Sequence, residues 1–210
     1  MAFEDTLQEV LDYFHGKLAA HGPTPQGVDW NSVQSQKIRF EQIVRITDPK
    51  NPFSILDYGC GYGGLVNYLE EREFQYEYIG YDPLDSMIAK AQESFGKRAN
   101  CQFTAREELL QTTDYVVASG IFNVKLDTAD ALWTDYCLCL LQRMHQLSKK
   151  GFSFNMLTKY SDTHKMRPEL YYGDPLFLFD YCKTTFSRNV ALLHDYGLFD
   201  FTILVRKELG

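Results

Sequence analysis

The sequence predicts an α/β fold: a doubly wound, seven-stranded, mostly parallel sheet with an antiparallel last strand and an amino-terminal helical cap. Three observations predict it. From residue 53 onward, short apolar runs of strand length alternate with stretches of helical spacing, the signature of a parallel sheet covered on both faces. A glycine-rich turn, Asp57-Tyr58-Gly59-Cys60-Gly61-Tyr62-Gly63-Gly64, separates the first such run from the first such helix. The last two strand-like runs are joined through HDYG at 194–197, a span that only an antiparallel hairpin can use.

The elements follow in order. Phe3, Leu7, Val10, Leu11, Phe14 and Leu18 recur at i, i+3/i+4 and predict a first helix. HGPTPQG at 21–27 breaks it, and a second helix is expected over 31–46, capped by Asn31 or Ser32 and stopped by DPKNP at 48–52. Residues 1–50 are therefore read as the cap or lid and 51–210 as the sheet domain. Strands are expected at 53–58, 76–81, 100–103, 113–119, 151–157, 188–193 and 199–206. Helices between them are marked by Leu65, Val66, Tyr68 and Leu69, by residues 85–95, by Trp133, Cys137, Leu140, Leu141 and Met144 on one face, and by residues 174–185.

Composition narrows the class. The 210 residues are 45% hydrophobic and 23% charged, as in ordinary globular proteins, and no apolar run approaches a membrane span. The net charge of −7 argues against a broad duplex-DNA surface, which needs clustered Lys and Arg. The five cysteines show no zinc-type spacing, so no metal is expected and the thiols are read as reduced. MAFEDTLQEVLDYF has no secretory pattern, and a cytoplasmic location is expected.

Glycines are required where backbone turns sharply or lies against a ligand. The strand at 76–81 ends in Tyr81-Asp82-Pro83, and in a right-handed βαβ unit its end neighbours the glycine loop. A carboxylate at Asp82 is placed to accept both hydroxyls of a ribose, so the pair of motifs reads as an adenosine-containing cofactor site. Gly59-x-Gly61-x-x-Gly64, with Asp82 standing 18 residues further on, also fits a dinucleotide fingerprint. Asp57 separates the two: read as pointing into the crevice, its charge repels a pyrophosphate and attracts an ammonium or sulfonium.

Ile55-Leu56-Asp57-Tyr58-Gly59-Cys60-Gly61-Tyr62-Gly63 resembles motif I of class I S-adenosylmethionine-dependent methyltransferases. Tyr78-Ile79-Gly80-Tyr81-Asp82-Pro83, followed by Met87, resembles their ribose-binding acidic motif. The resemblance implies a Rossmann-like methyltransferase fold over 53–206, with S-adenosyl-L-methionine as cofactor. It implies Gly59 and Gly61 at the methionine part, Asp57 at its amino group and Asp82 at the ribose, with Tyr58, Cys60, Pro83 and Ser119 completing the cofactor contacts. The family's acidic residue after the third strand should fall in 103–106, where no Asp stands, so the adenine amino group is left to backbone partners. Gln36 and Arg39, three apart on one helix face, are expected to reach the cofactor from the cap.

The acceptor side rests on loops at the carboxyl ends of the strands. Asn123 follows the fourth strand without the prolines of base-methylating enzymes and is a candidate to orient the substrate. The long loop 158–173 offers Arg167, Tyr171 and Tyr172 as substrate contacts. His194 in the closing hairpin is the candidate base. The expected acceptor is a small molecule, with RNA not excluded. The other two readings are an NAD-dependent oxidoreductase and a non-catalytic cofactor-binding module.

Overall fold

The computed structural model describes residues 2–207, with side chains from Leu7 onward; the helical position expected for the Phe3 side chain lies outside the described side chains. The elements are α1 (Ala2–His21), α2 (Val33–Val44), β1 (Phe53–Tyr58), α3 (Gly64–Glu71), β2 (Tyr76–Tyr81), α4 (Asp85–Phe95), β3 (Cys101–Thr104), β4 (Thr113–Ala118), α5 (Asp130–Leu147), β5 (Ser148–Leu157), α6 (Pro175–Thr185), β6 (Asn189–Leu193) and β7 (Asp200–Arg206). Local chemistry sets several boundaries. Ser32 and Ser35 close a reciprocal capping box at the start of α2, each hydroxyl accepting the other residue's backbone N–H. Asp174 accepts Leu176 N at 3.0 Å ahead of Pro175, which opens α6.

The sheet order is β3-β2-β1-β4-β5-β7-β6. The first five strands are parallel, and β7 runs antiparallel to both β5 and β6. The closing hairpin was legible, but the insertion of β7 between β5 and β6 was not. The two positions differ in cover: Asp200–Val205 are all buried, whereas β6 is only partly covered and takes the edge. The connecting segment spans 194–199 rather than 194–197, and β5 begins at Ser148, directly after α5.

Strand alternation divides the core. Leu56, Val116, Trp133, Leu141 and Phe154 bury on one face, and Ile43, Ile55, Leu65, Val117 and Leu204 on the other. Each such side chain contributes about 1.5–3 kcal/mol of burial. α2 belongs to the second cluster, with Ser153 Oγ donating to Ile43 O at 2.7 Å, so it is part of the sheet's cover. α1 and the 3-10 turn Pro25–Val28 instead lie over the carboxyl ends of the strands. Between β3 and β4 the chain makes only a 3-10 turn, Glu107–Leu109, in place of a covering helix. Tyr58 and Tyr81, at the ends of β1 and β2, therefore face a cavity.

Candidate active site

The cavity measures about 490 Å³. Its floor is the end of β1 and β2: Tyr58, Gly59 and Gly61, then Tyr81, Asp82, Pro83 and Leu84. Ser119, Gly120 and Ile121 supply one side, and Glu107 with Tyr136, Cys139, Leu140 and Arg143 of α5 supply another. Leu7, Val10, Leu11 and Phe14 of α1 form the roof, joined by Val28 and Trp30. The roof is latched through Asp29, which takes the Tyr13 hydroxyl at 2.9 Å and the Lys17 ammonium at 2.7 Å.

β1 pairs in parallel register with β2 (Asp57 opposite Gly80) and with β4 (Asp57 opposite Val117), which brings the three strand ends together. The glycine loop is tied to β2 by Gly59 N and Cys60 N, both donating to Tyr81 O at 2.7 and 2.8 Å. Gly59 and Gly61 have φ of 82° and 54°, a region disfavoured for residues with a Cβ, and a Cβ on Gly59 would run into Ile121. Asp82 is fixed by two backbone donors: Gly61 N to one oxygen at 2.9 Å and Leu84 N to the other at 3.0 Å. A carboxylate on the cavity wall beside bare glycine backbone fits an adenosine-bearing cofactor. Burial pushes the Asp82 carboxyl up to about 6, against the two backbone bonds that lower it. Tyr58 and Tyr81 stack tilted at 4.8 Å, and burial raises both phenols, that of Tyr81 to about 12.

Several expected contacts fall elsewhere. Asp57 does not face the cavity: it is 3% exposed and takes the Tyr78 hydroxyl at 2.8 Å. The reason is the two-residue period of β1, which turns Tyr58 toward the cavity and Asp57 to the opposite face. The Cys60 side chain likewise points away, toward Gly80. Gln36 accepts the Tyr62 hydroxyl at 3.0 Å, and Arg39 donates to Asp200 at 3.0 and 2.6 Å; neither lines the cavity, because α2 is packed on the sheet. Asn123 is a buried strut, its Oδ1 accepting Leu157 N and its backbone O accepting Tyr171 N. Tyr171 bonds Thr134, Tyr172 accepts Arg167 N, and Arg167 pairs with Glu169. All three are off the cavity because the 158–173 loop folds back on the β4–α5 connection, Lys125 N and Leu126 N both reaching Glu169 O. His194 is exposed beside Tyr160 and Phe201, away from the cavity, since the β7 insertion carries the hairpin outward.

Other groups escaped sequence reading. Asn155 on β5 shapes the loop after β4, accepting Gly120 N and donating to Ser119 Oγ, both at 3.0 Å. Glu107 reaches the wall that the empty 103–106 stretch lacked, held by Arg143 at 2.8 Å. The roof residues of α1 carried a signal in their periodicity, but periodicity alone cannot distinguish a roof from a core. No group of three or more His, Cys, Asp or Glu suited to a metal occurs among the described residues, and no described helix is long and apolar enough to cross a membrane.

Asp57 gives a pH prediction. Burial, foremost, and the nearby Asp82 charge push its carboxyl up to about 7, with the Tyr78 hydroxyl opposing. The unfolded value is about 3.9. Between those values the folded chain holds a proton that the unfolded chain has released, so stability falls as pH rises from about 4 through 7 and is level above. Asp57→Asn removes this penalty. The variant should match the parent in urea at pH 4 and exceed it by roughly 2–4 kcal/mol at pH 8, at ~1.4 kcal/mol per unit. An equal difference at both pH values contradicts the assignment.

Residues 56–147 match a methyltransferase domain family. The chain is 50% identical over 164 residues to the putative methyltransferase Rv1506c of Mycobacterium tuberculosis, covering 78% of this chain and 99% of that protein. Among solved structures, the N-methyltransferase NodS of Bradyrhizobium japonicum WM9, in complex with S-adenosyl-L-homocysteine, has a TM-score of 0.64 at 13% identity, covering 95% of this chain and 98% of that one. Human N-acetylserotonin methyltransferase, in complex with the methyl donor, has a TM-score of 0.59 at 16% identity; the match covers 84% of this chain and 55% of the human one. At these identities the two structures show a shared fold. The chain belongs to a methyltransferase family, and its fold is the one seen in solved S-adenosylmethionine-dependent methyltransferases. It is a methyltransferase enzyme, and neither the oxidoreductase nor the non-catalytic reading finds support among these relatives.

Proposed function

We propose that the chain methylates a small molecule enclosed between α1 and the carboxyl ends of the sheet. The observation that carries this is the roof: Leu7, Val10, Leu11 and Phe14 cover a cavity of about 490 Å³, a size range typical of small-ligand sites. Among the described lining residues only Arg143 is basic, and it is paired with Glu107, which disfavours a polyanionic acceptor such as RNA. The lid role falls on α1 and the turn through Trp30, with α2 as its anchor.

S-adenosyl-L-methionine, when bound, supplies a methyl group on a sulfonium leaving group. Asp82 accepts the ribose hydroxyls with the lone pairs its backbone donors leave free. Gly59, Gly61 and Ser119 lie along the methionine part. Pro83 and Leu84 flank the adenine, and Glu107 accepts from its amino group, in place of the backbone partners expected from sequence. The wall contains no His or Lys among the described residues, so alignment of acceptor and donor in a closed chamber supplies most of the rate. Apolar walls and the α1 roof exclude water during transfer.

The test is transfer from donor labelled in the methyl group into fractionated cell extract. Label should appear in the low-molecular-weight fraction and depend on the enzyme. Label confined to RNA or protein refutes the small-molecule assignment.

A further inference from the structure

We propose that Trp30 is the platform on which the acceptor stacks, and that the acceptor is a flat aromatic molecule without positive charge; this rests on the methyltransferase reading of the cavity.

Trp30 is the tryptophan of the cavity wall, Trp133 being buried in the core. Its ring is held from several directions. Its backbone N–H donates to Pro25 O at 2.8 Å. The Arg39 guanidinium lies 4.0 Å from the ring centroid. That guanidinium is itself immobilised: Nε and Nη2 donate to the two oxygens of Asp200 at 3.0 and 2.6 Å, and Nη1 donates to Ser35 O at 3.0 Å. The indole also presses on the loop after β4, where Gly120 has φ 88° and a Cβ would run into the ring. The next residue, Ile121, covers Gly59 so closely that a Cβ there has no room. Trp30, Gly120, Ile121 and Gly59 are thus in continuous contact. This places the indole at the end of the cavity where the methionine part, and with it the reactive methyl, is assigned.

The chemistry of the platform follows from Arg39. A pre-positioned indole offers a large flat surface whose ordering cost is already met, which favours planar partners over puckered ones. Its quadrupole is already engaged by a guanidinium, so a second cation on the ring gains less attraction and meets the part of the Arg39 charge that Asp200 does not offset. Neutral or anionic aromatic acceptors escape that repulsion. Arg39 and Asp200 touch neither acceptor nor cofactor; they are positioning residues, and their charge sets which acceptors the platform accepts.

The experiment is calorimetric titration of the protein saturated with S-adenosyl-L-homocysteine, using three probes of similar size: 2-naphthol, its saturated analogue decahydro-2-naphthol, and trimethyl(2-naphthyl)ammonium. 2-Naphthol should bind about tenfold tighter than either of the others. Trp30→Leu should abolish that preference, and Trp30→Phe should keep it. The double variant Arg39→Met with Asp200→Leu, which leaves no unpaired charge, should retain naphthol binding and gain about tenfold for the cationic probe, a change that a merely structural role would not produce. Equal binding of naphthol and its saturated analogue, or no naphthol binding, overturns the proposal. So does Trp30→Leu weakening S-adenosyl-L-homocysteine itself, which would set the indole against the cofactor. A parent protein that fails to bind S-adenosyl-L-homocysteine at all would instead remove the cofactor reading on which the proposal rests.

Discussion

Asp82→Ala should weaken S-adenosyl-L-homocysteine binding by roughly one to three orders of magnitude. Hydrogen bonds to a charged acceptor are worth about 1.5–3 kcal/mol each, and about 1.4 kcal/mol is tenfold in affinity. Read from sequence, this carboxylate faces a crevice and holds up no core, so its loss should leave folding almost untouched. The structure alters that expectation. Both carboxylate oxygens receive backbone N–H groups, from Gly61 and Leu84, and Gly61 is buried. Removing the acceptor orphans these donors at about 1–3 kcal/mol for a buried one, so a fall in melting temperature without ligand should accompany the loss of affinity. Asp82→Asn keeps one carbonyl acceptor but turns its amide N–H2 toward the other backbone donor, so stability should return only in part while affinity stays reduced. Because burial pushes the carboxyl up to about 6, its neutral form prevails below that pH, and parent affinity should rise between pH 5 and 7. Calorimetry across that range is the measurement. An Asp82→Ala protein that binds as tightly as the parent would remove the ribose from this strand end.

The second large effect is on stability. Asp200→Ala should destabilise the chain by about 3–5 kcal/mol, because it leaves the Arg39 guanidinium buried without its counter-charge. For a chain of this length that lowers the melting temperature by roughly 6–20 °C, at ~2–4 °C per kcal/mol. The pair is well formed, but the cost of burying its charges opposes their attraction. Burial raises the Asp200 carboxyl, and Arg39, although it opposes this, does not fully offset it. Replacing both partners by apolar residues, Arg39→Met with Asp200→Leu, should therefore stay within about 1 kcal/mol of the parent or exceed it. Denaturant unfolding of the three proteins decides it. A single variant as stable as the parent would mean that the guanidinium finds water or another partner when Asp200 is lost.

These two predictions differ in how far the sequence anticipates them. The position of Asp82 was legible because it depends on local grammar and handedness alone. A strand, a glycine turn, a helix and a second strand can close in only one hand, and the acid after the second strand then sits beside the turn. Arg39 was visible on a helix face with Gln36, but its partner Asp200 is 161 positions away along the chain. Nothing in the spacing of residues ties those two segments together.

The same division runs through the whole molecule. The sequence by itself determined the alternation of strands and helices, the closing hairpin, the glycine loop and the acid beside it, since these follow from hydrophobic periodicity, backbone freedom and the chirality of the crossover. Only the tertiary structure decided which way each side chain at a strand end points, and the cost of reading it otherwise is clear at Asp57, placed in the crevice from sequence but turned by the pleat toward Tyr78. It also decided that β7 enters the sheet between β5 and β6, which carries His194 away from the cavity, and that the 158–173 loop folds back so that Tyr171 and Asn123 become struts. It set α1 over the strand ends, where an apolar helix face became a roof, and it brought Trp30, Arg39, Gly120 and Asp200 into contact from four separate segments. The physical reason is range. Periodicity and turn chemistry act within a few residues, whereas the choice of partner for a buried charge or an apolar face is made by close packing of distant segments, and a single sequence does not encode that choice locally.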